Sequence, residues 1–527
     1  MITRRLIFVI FLTFLSAYLV RCARQGHPSG GPKDTTPPEV ISEIPQNKTV
    51  NFRSEKIQIK FNEFITLDNP LQKIIISPPL NKPPEIKPSG YPDKKIQIKF
   101  KENLRPNTTY TIYFNDAVKD FREGNPMKDY KYVFSTGNQL DSLSLKGTLK
   151  PAYDFKQPED IIVALYPART FSDSLLLNAK PYYLARADNN GNFVFENLAP
   201  GNYKIFAFSD KNKSLNYQKG EEHIAFLTQT IRIPQTKEVH LVMFKEKIPV
   251  KIEDISQQTQ HKWTVKLSAP TDSLKVEVKN KIIKYYTINK HLSLWIRNIR
   301  KNDTLCFTVT LHHDTLFTGT RVASKSKKDT LLFKFNKNKL FPIDTLKLYP
   351  TVPLAAIDQD KIIIKPSAPF KTKISPDGSL LLTIPYKDQT PEYNLQIYPG
   401  ALKDFLGHIN KDTIKHKFSF ESSRKTGNLK IVLEKHTSNR PIIVELYNQE
   451  KKRTERMLHT TEHTFEFPYL PPGKYRLRII VDENKNGKWD TGNLLLGKQP
   501  EPVYIHPAII EIRPYWDLEE KIPLKLD

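Results

Sequence analysis

Apolar and polar residues alternate with a period of two in many short segments of the chain. The pattern is clearest in residues 57–61, and it returns in residues 96–100 and 110–114. Such alternation predicts β-strands with one buried and one exposed face. No segment has the periodicity of an amphipathic helix of several turns, and proline recurs too often for long helices. The sequence therefore predicts an all-β protein built of sandwiches.

An internal repeat indicates how these strands are grouped into units. Residues 193–203 match residues 465–475, and the offset of 272 positions continues without a gap beyond both segments. Upstream, residues 117–121 recur as residues 401–405. The chain is therefore predicted to use one pair of β units twice, with a further β unit in residues 246–340 that matches neither.

The N-terminus has the features of a secretory signal. Two arginines precede an uncharged run over residues 6–20, which is shorter than the roughly 20 residues of a membrane-spanning helix. Cys22 follows with Leu19 three residues before it, and this arrangement resembles the lipobox of bacterial lipoproteins, in which the cysteine is diacylated and becomes the mature N-terminus. Arg21 departs from the small residue that is usual before that cysteine. An uncleaved signal anchor and ordinary signal-peptidase cleavage are the alternatives, and all three export the chain.

The first β unit carries a series of short motifs. They are Pro37-Pro38-Glu39, Asn62-Glu63-Phe64-Ile65, Ile76-Ser77-Pro78-Pro79, Leu104 to Tyr110 and Phe134-Ser135-Thr136-Gly137. Together they resemble the bacterial Ig-like domain of the SbsA type, and with residues 29–34 they resemble Gram-negative envelope lipoproteins that carry this domain directly after the lipidated cysteine. The repeated segments, 191–203 and 465–475, are similar to transthyretin-like or carboxypeptidase-regulatory-like sandwiches. Both resemblances imply spacers, adhesive modules or ligand-presenting units.

These observations predict seven segments along the chain. They are a lipoprotein signal peptide (1–21), a flexible tether (22–37), an Ig-like domain (38–137), a transthyretin-like sandwich (138–245), a sandwich of unassigned type (246–340), a second Ig-like domain (341–423) and a second transthyretin-like sandwich (424–527).

The two cysteines limit how the fold is stabilised. If Cys22 carries lipid, Cys306 is the other cysteine of the chain, and no intramolecular disulfide forms. Cys306 lies in the alternating segment 304–309, where we expect a buried free thiol rather than a nucleophile. Stability must then come from hydrophobic cores.

The charge is strongly basic, with 81 Lys and Arg against 56 Asp and Glu, a net +25. Such a balance favours an anionic neighbour, such as lipid headgroups, lipopolysaccharide phosphates or acidic glycans, and export argues against nucleic acid. The lysines are dispersed, however. Lys56, Lys60, Lys95 and Lys99 alternate with apolar residues, which favours solvated strand faces over a binding patch.

Catalytic motifs are missing from the sequence. It contains no nucleophile elbow, zinc-protease motif, phosphate-binding loop or dinucleotide fingerprint. His312-His313-Asp314 is the densest cluster of candidate side chains, but neighbours on a strand point to opposite faces, so a strand end or hairpin is favoured. We therefore expect no enzyme and no catalytic residues, although paired carboxylates cannot be recognised from sequence.

One loop has the spacing of a calcium site. Oxygen-bearing groups recur at positions 1, 3, 5, 7 and 9 with Gly487 at position 6, as in an EF-hand-type loop. Position 12 is Asn493 rather than glutamate, so only a weak calcium site is expected; a turn capped by its own side chains is the alternative. The matching loop at Asp210 has Leu215 in place of the glycine and is expected to bind no metal. The candidate ligands are Asp482, Asn484, Asn486, Lys488 through its carbonyl, and Asp490.

The function expected from these features is that of a non-enzymatic, lipid-anchored protein of the bacterial envelope, in the outer membrane. Its tandem β-sandwiches serve as a scaffold, an adhesive or a partner-binding module, with the membrane and other envelope proteins or anionic glycans as partners. A glycan-binding accessory lipoprotein is one alternative, although the four tryptophans are scattered along the chain. An envelope hydrolase with a site between domains is the other.

Overall fold

The regular secondary structure of the described residues is almost entirely β-strand, and the predicted all-β class is confirmed. The computed structural model describes residues 34–271, 273–312, 314–387, 392–434 and 440–524. Within these ranges no helix is long and apolar enough to cross a membrane. The helical elements are α1 (Pro70–Lys73), α2 (Asp173–Asn178) and two 3-10 turns, Gln359–Lys361 and Ser423–Lys425.

The N-terminal unit, residues 34–137, is a sandwich of two sheets. Its strands are β1 (Val40–Ile44), β2 (Lys56–Leu67), β3 (Ile75–Ser77), β4 (Glu85–Lys87), β5 (Asp93–Lys99), β6 (Thr109–Asn115), β7 (Val118–Asp120) and β8 (Tyr130–Ser135). One sheet has the order β1-β2-β5-β4 with β7 added to β2, and the other has the order β3-β6-β8. The period of two turns Ile57, Ile59 and Phe61 inward, where they share one core with Phe134.

The second unit, residues 138–245, has a sheet that is buried on both faces. Its strands are β9 (Leu143–Pro151), β10 (Ile161–Pro167), β11 (Tyr183–Arg186), β12 (Asn192–Leu198), β13 (Gly201–Ser209), β14 (His223–Phe226), β15 (Ile231–Ile233) and β16 (Glu238–Lys245). On β13, Ile205 and Ala207 point into the sandwich core, whereas Phe206 and Phe208 belong to a separate cluster on the outer face. That outer cluster also contains Leu494 of the C-terminal unit, so the second unit is covered by a distant part of the chain.

The middle unit, residues 246–330, also consists of two sheets. Its strands are β17 (Ile252–Gln257), β18 (Lys262–Leu267), β19 (Leu274–Val278), β20 (Ile283–Ile288), β21 (His291–Ile296), β22 (Thr304–Leu311) and β23 (Asp314–Val322). The sheet orders are β17-β18-β21-β20 and β19-β22-β23.

Cys306 is exposed on β22, and the prediction of a buried thiol was wrong. Leu305, Phe307 and Val309 are the residues of this strand that enter the core. Because side chains on a strand alternate strictly between its two faces, Cys306 must face outward when its two neighbours face inward. The error came from counting cysteine as apolar, since Cys306 falls in the outward phase of the alternation together with Thr304.

The fourth unit, residues 331–423, contains the second Ig-like pattern. Its strands are β24 (Phe333–Phe335), β25 (Lys339–Leu340), β26 (Leu346–Pro350), β27 (Leu354–Ile357), β28 (Ile362–Lys365), β29 (Lys371–Ile374), β30 (Leu380–Thr383), β31 (Tyr393–Ile397), β32 (Leu402–Asp404) and β33 (Ile414–Phe420). Residues 333–340, which the sequence prediction assigned to the middle unit, pair here, since β24 lies beside β26 and β25 beside β33.

The C-terminal unit, residues 424–524, repeats the second unit strand for strand. Its strands are β34 (Gly427–Glu434), β35 (Ile442–Asn448), β36 (Arg453–Thr460), β37 (Thr464–Leu470), β38 (Gly473–Val481), β39 (Val503–Ile505), β40 (Ile510–Ile512) and β41 (Asp517–Pro523). Strands β37 and β38 lie 272 positions after β12 and β13. Both units also contain one parallel pair, β9 with β16 and β34 with β41.

Several pairs of units contact each other beyond the linkers of the chain. The N-terminal unit meets the second unit where Lys131 pairs with Glu196 at 2.6 Å. The middle unit meets the fourth where the Arg297 guanidinium lies 4.4 Å from the centre of the Phe405 ring. The fourth and C-terminal units meet at Tyr386 and Tyr469, whose rings are 5.9 Å apart. With the contacts described next, the units from second to C-terminal form a closed circuit.

Candidate functional site

A long loop of the C-terminal unit reaches across to the second unit. This docking loop, residues 482–502, connects β38 to β39. Its Thr491 hydroxyl donates to the carbonyl of Lys245 at 2.7 Å. The backbone N–H of Leu494 donates to the buried carboxylate of Glu246 at 2.9 Å. The loop is thus fixed to the last strand of a unit that lies about half the chain earlier in sequence.

The docking loop also contributes apolar contacts. Leu494 is 9% exposed and packs into the outer cluster of the second unit together with Phe244. Gly492 lies so close to this cluster that an added Cβ would sit 2.6 Å from the Phe244 ring and 2.7 Å from the Lys498 carbonyl oxygen. Close packing of this kind requires glycine at position 492, and it explains how the loop can lie flat on the sheet.

Trp489 forms the centre of the contact. Its ring stacks on Tyr153 of the second unit, with centroids 4.5 Å apart and planes at 19°. Its indole N–H donates to the Glu501 carbonyl at 3.2 Å, so the polar edge of the ring is satisfied within its own loop. The same tryptophan therefore links the docking loop to the segment that follows β9.

That segment, residues 152–158, in turn lies on the C-terminal unit. The guanidinium of Arg478 on β38 sits 3.7 Å from the centre of the Tyr153 ring and 4.5 Å from that of Phe155. Arg478 Nη1 donates to the Tyr153 carbonyl at 2.8 Å. Each unit thus extends a loop over the outer sheet face of the other, and we call this reciprocal contact the clasp.

A buried ion pair lies beneath the clasp. Arg478 is 4% and Glu445 is 7% exposed, and Arg478 Nε approaches Glu445 Oε2 at 3.0 Å as an ion-pair contact without the alignment of a hydrogen bond. The Tyr153 hydroxyl donates to the same carboxylate oxygen at 2.9 Å. Burial raises the pKa of Tyr153 to about 12, so this hydroxyl keeps its proton and remains a donor at neutral pH.

Sequence reasoning missed the clasp. Arg478 occupies the position that Phe206 holds in the first copy, 272 residues earlier. A signal was available, because Arg478 interrupts an otherwise apolar run over residues 477–481. An arginine in such a run is buried only when it has a partner. The partner Glu445 comes from another strand and Tyr153 from the segment after β9, so neither could be read from the run itself.

The candidate calcium ligands converge at the start of the docking loop. Asp482 accepts hydrogen bonds from the backbone N–H groups of Asn486 and Gly487, at 3.0 and 2.8 Å. The side-chain amides of Asn484 and Asn486 both donate to Asp490 Oδ2, at 2.5 and 2.7 Å. In this geometry the loop is a turn capped by its own side chains, since both amides present nitrogen, and not oxygen, to the carboxylate.

Two side chains from outside the loop lie against its carboxylates. Lys247 Nζ is 2.9 Å from Asp490 Oδ1, and His459 Nε2 is 3.0 Å from Asp482 Oδ2. Burial opposes the ionisation of Asp490, but the hydrogen bonds from Lys247 and the loop amides outweigh it and hold the pKa of this carboxyl below its ordinary value. The backbone N–H of Lys488 donates to Asn486 Oδ1 at 2.8 Å. Among the described residues, no group of three or more His, Cys, Asp or Glu is arranged to hold a metal ion.

The calcium site remains a prediction, and Lys247 makes it testable. Calorimetric titration of the whole chain should give a dissociation constant of about 10⁻⁴–10⁻³ M, as for weak oxygen-ligand sites. Lys247→Met removes the cation that competes at Asp490 and should tighten binding, whereas Asp482→Asn should abolish it. Lys245→Met is the control that leaves Asp490 untouched. If neither the wild-type chain nor Lys247→Met releases or absorbs heat at millimolar calcium, the loop is a capped turn that binds no calcium.

The matching loop of the second unit has the same backbone with different side chains. Leu215 has a φ of 59° where Gly487 has a φ of 73°. Its N–H donates to the Asp210 carboxylate, at 3.2 Å to Oδ1, as that of Gly487 does to Asp482. Burial raises the pKa of Asp210. The prediction that this copy binds no metal is untested.

Two further residues named in the sequence analysis lie outside the described residues. Cys22, the predicted lipidation site, lies outside them, and so does His313. Its neighbour His312 has a φ of 54° between β22 and β23, which is the hairpin geometry expected as the alternative to a site.

The N-terminal unit is similar to a known family. Residues 34–136 match the family model described as a bacterial Ig-like domain. The match is confined to this unit, which agrees with the resemblance expected from its motifs. None of the curated proteins matches the chain.

Several solved structures match the chain at low identity. BcpA, the major pilin subunit of Bacillus cereus, is 9% identical with a TM-score of 0.14, covering 73% of this chain and 99% of that one. The surface layer protein SbsC, domains 1–6, is 11% identical with a TM-score of 0.17, covering 90% and 67%. The N-terminal eight Ig domains of Down syndrome cell adhesion molecule are 10% identical with a TM-score of 0.15, covering 90% and 60%. Scores this low carry no argument about function.

Proposed function

We propose that this protein is a non-enzymatic scaffold of the bacterial cell envelope, anchored by lipid at Cys22 and carrying binding surfaces on five β units. The clasp is the observation that supports this proposal best. Its buried polar groups, Arg478, Glu445 and Tyr153, pair with one another where the two units meet. Side chains of this kind serve to hold domains together, which is the task of a scaffold.

The bacterial Ig-like domain supports the envelope location. This domain, residues 34–136, directly follows the tether that begins at Cys22. The proposed membrane is the outer membrane of a Gram-negative bacterium, because the SbsA-type resemblance includes the segment after the cysteine. The proposed partners are other envelope proteins or anionic glycans, and nucleic acid is not among them.

A glycan-binding role has less support. Trp263 and Trp295 are 2% and 1% exposed, and Trp489 is stacked in the clasp. Trp516 is the exposed one, at 52%, beside Tyr515. Platforms for sugars need several exposed rings on one face, and the tryptophans of this chain do not provide one.

A hydrolytic role also has less support. A cleft of about 710 Å³ lies between the second and C-terminal units, lined in part by Asp154 and Glu501. Burial raises the pKa of Glu501, but both its oxygens accept backbone N–H groups of the docking loop, from Glu483 and Asp490. A hydrogen bond from His223 lowers the pKa of Asp154. Both carboxylates therefore have structural partners.

Anchoring is tested by replacing the cysteine. Cys22→Ala should abolish acylation and move the protein from the membrane fraction to the soluble fraction, because two or three acyl chains are needed for stable residence. Intact mass of the purified mature protein reads the modification directly. Cys306→Ala is the matched control and should remain acylated. An unmodified Cys22, or a mature N-terminus elsewhere, would overturn the lipid anchor.

A further inference from the structure

The outer face of the first sheet concentrates lysines in a way that the sequence did not reveal. Strands β2 and β5 pair antiparallel with Lys56 opposite Lys99 and Lys60 opposite Lys95. Residues directly opposite each other lie on the same face with Cβ atoms about 5 Å apart, and like charges there are destabilising. The register therefore turns four dispersed lysines into two adjacent like-charged pairs, and all four are exposed.

The carboxylate of Glu85 shares this face, but it forms no ion pair with these four lysines. Among the described residues, no ion pair includes any of these four lysines. Glu85, opposite Lys99, pairs instead with Lys87 at 3.1 Å. Asp93, at the start of β5, accepts the backbone N–H of Lys94. The lysine face, defined as Lys56, Lys60, Lys87, Lys95 and Lys99, thus has a clear excess of positive charge.

The other side chains on the lysine face suit contact with a flat, polar surface. Gln58 and Gln97 face each other between the two lysine pairs. Ile44 on β1 lies opposite Gln58 and is 64% exposed, which places one apolar side chain on the same face. This face is not among the surfaces that bond to the second unit, since those bonds and ring contacts come from α1, β3, β6, β8 and the loops that follow β3 and β5.

The position of the face relative to the anchor indicates its partner. β1, the first strand of the chain, forms one edge of this sheet. The 12 residues from Cys22 to Lys33 span at most about 40 Å when extended. A tether this short keeps the face at high effective concentration near the membrane surface.

We infer that the lysine face docks on the phosphate-bearing headgroups of anionic lipids in the membrane to which the protein is anchored. This inference rests on the proposed anchoring for its biological setting, but the surface itself can be tested on a chain without the lipid anchor. Each lysine near an anionic membrane contributes about fivefold in affinity. Four lysines therefore contribute several-hundredfold at low salt, and screening weakens the effect as the Debye length falls to about 8 Å at physiological salt.

The test uses the whole chain from residue 23, which lacks the acylated cysteine. Co-sedimentation with vesicles of phosphatidylglycerol and phosphatidylcholine is compared with vesicles of phosphatidylcholine alone. Changing Lys56, Lys60, Lys95 and Lys99 together to Gln should weaken binding to the anionic vesicles at least a hundredfold. The matched control changes Lys371, Lys373, Lys411 and Lys415 to Gln; these are four exposed lysines of the fourth unit, and binding should stay within about threefold.

Three outcomes would overturn the lysine face. They are equal losses in both variants, binding by the wild-type chain that does not depend on lipid charge, and no binding of the wild-type chain to anionic vesicles at low salt. Competition by a lipid-free anionic polysaccharide at equal phosphate or carboxylate concentration would assign the face to a glycan instead. Loss of thermal stability does not confound the test, because removing the like-charged pairs should keep or raise the melting temperature. An unmodified Cys22 together with lysine-dependent vesicle binding would reject the anchor and retain the face.

Discussion

Replacing Glu445 with Ala is expected to lower the free energy of unfolding of the C-terminal unit by about 3–5 kcal/mol. The substitution leaves the Arg478 guanidinium, 4% exposed, without its counter-ion. The Tyr153 carbonyl still accepts from Arg478, but a neutral acceptor does not replace the charge of the carboxylate. The cost arises mainly from the uncompensated buried cation, and less from the lost attraction itself.

Chemical unfolding followed by tryptophan fluorescence measures this effect, provided that the transitions of the separate units are resolved. Glu445→Gln, which keeps the shape and an acceptor oxygen but not the charge, should fall between Glu445→Ala and the wild-type chain. Glu519→Ala removes an exposed pair with Lys430 in the same unit and should leave the transition unchanged. If Glu445→Ala and Glu519→Ala behave alike, the pair beneath the clasp is not a source of stability.

The all-β class and the repeat were predictable because both depend on local sequence. A period of two is a property of neighbouring residues, and the offset of 272 positions survives in strands β12 and β13 against β37 and β38. Even the burial pattern of Gly201–Ser209 matches that of Gly473–Val481 position by position. In both strands the last residues are buried on two faces, which the repeat alone did not explain.

The candidate site could not be predicted because its contacts join distant residues. Arg478 meets Tyr153 across 325 positions, and Leu494 meets Glu246 across 248. Alternation tells which side of a strand is polar, but not which other unit covers it. The lysine face shows the same limit, since Lys60 and Lys95 are separate positions in the sequence and become neighbours only through the register of β2 and β5.

The second large effect is expected from Trp489→Ala, which should open the clasp. The substitution removes the stack on Tyr153 and the indole hydrogen bond to Glu501. Tryptophans at the centre of an interface contribute at least about 2 kcal/mol, which corresponds to roughly a thirtyfold increase in the open population. The amide of Leu494 reports this population, because its N–H bonds to Glu246 only when the docking loop lies on the second unit. Its hydrogen exchange should therefore accelerate by about thirtyfold or more.

A matched pair of variants separates opening of the clasp from damage to the C-terminal unit. Tyr153→Ala removes the same stack from the other side while every side chain of the C-terminal unit stays in place. It also removes the hydroxyl that donates to Glu445, so it should accelerate exchange at Leu494 by at least as much. Trp516→Ala removes a tryptophan of the same unit that contacts Arg513 and is 52% exposed, and it should leave that exchange unchanged. If Trp489→Ala accelerates exchange throughout β38 while Tyr153→Ala has no effect, Trp489 belongs to the core of its own unit. If Leu494 exchange is unchanged in both, the stack does not hold the units together, and the contact must depend on its hydrogen bonds, such as those of Arg478 to the Tyr153 carbonyl and of Thr491 to the Lys245 carbonyl.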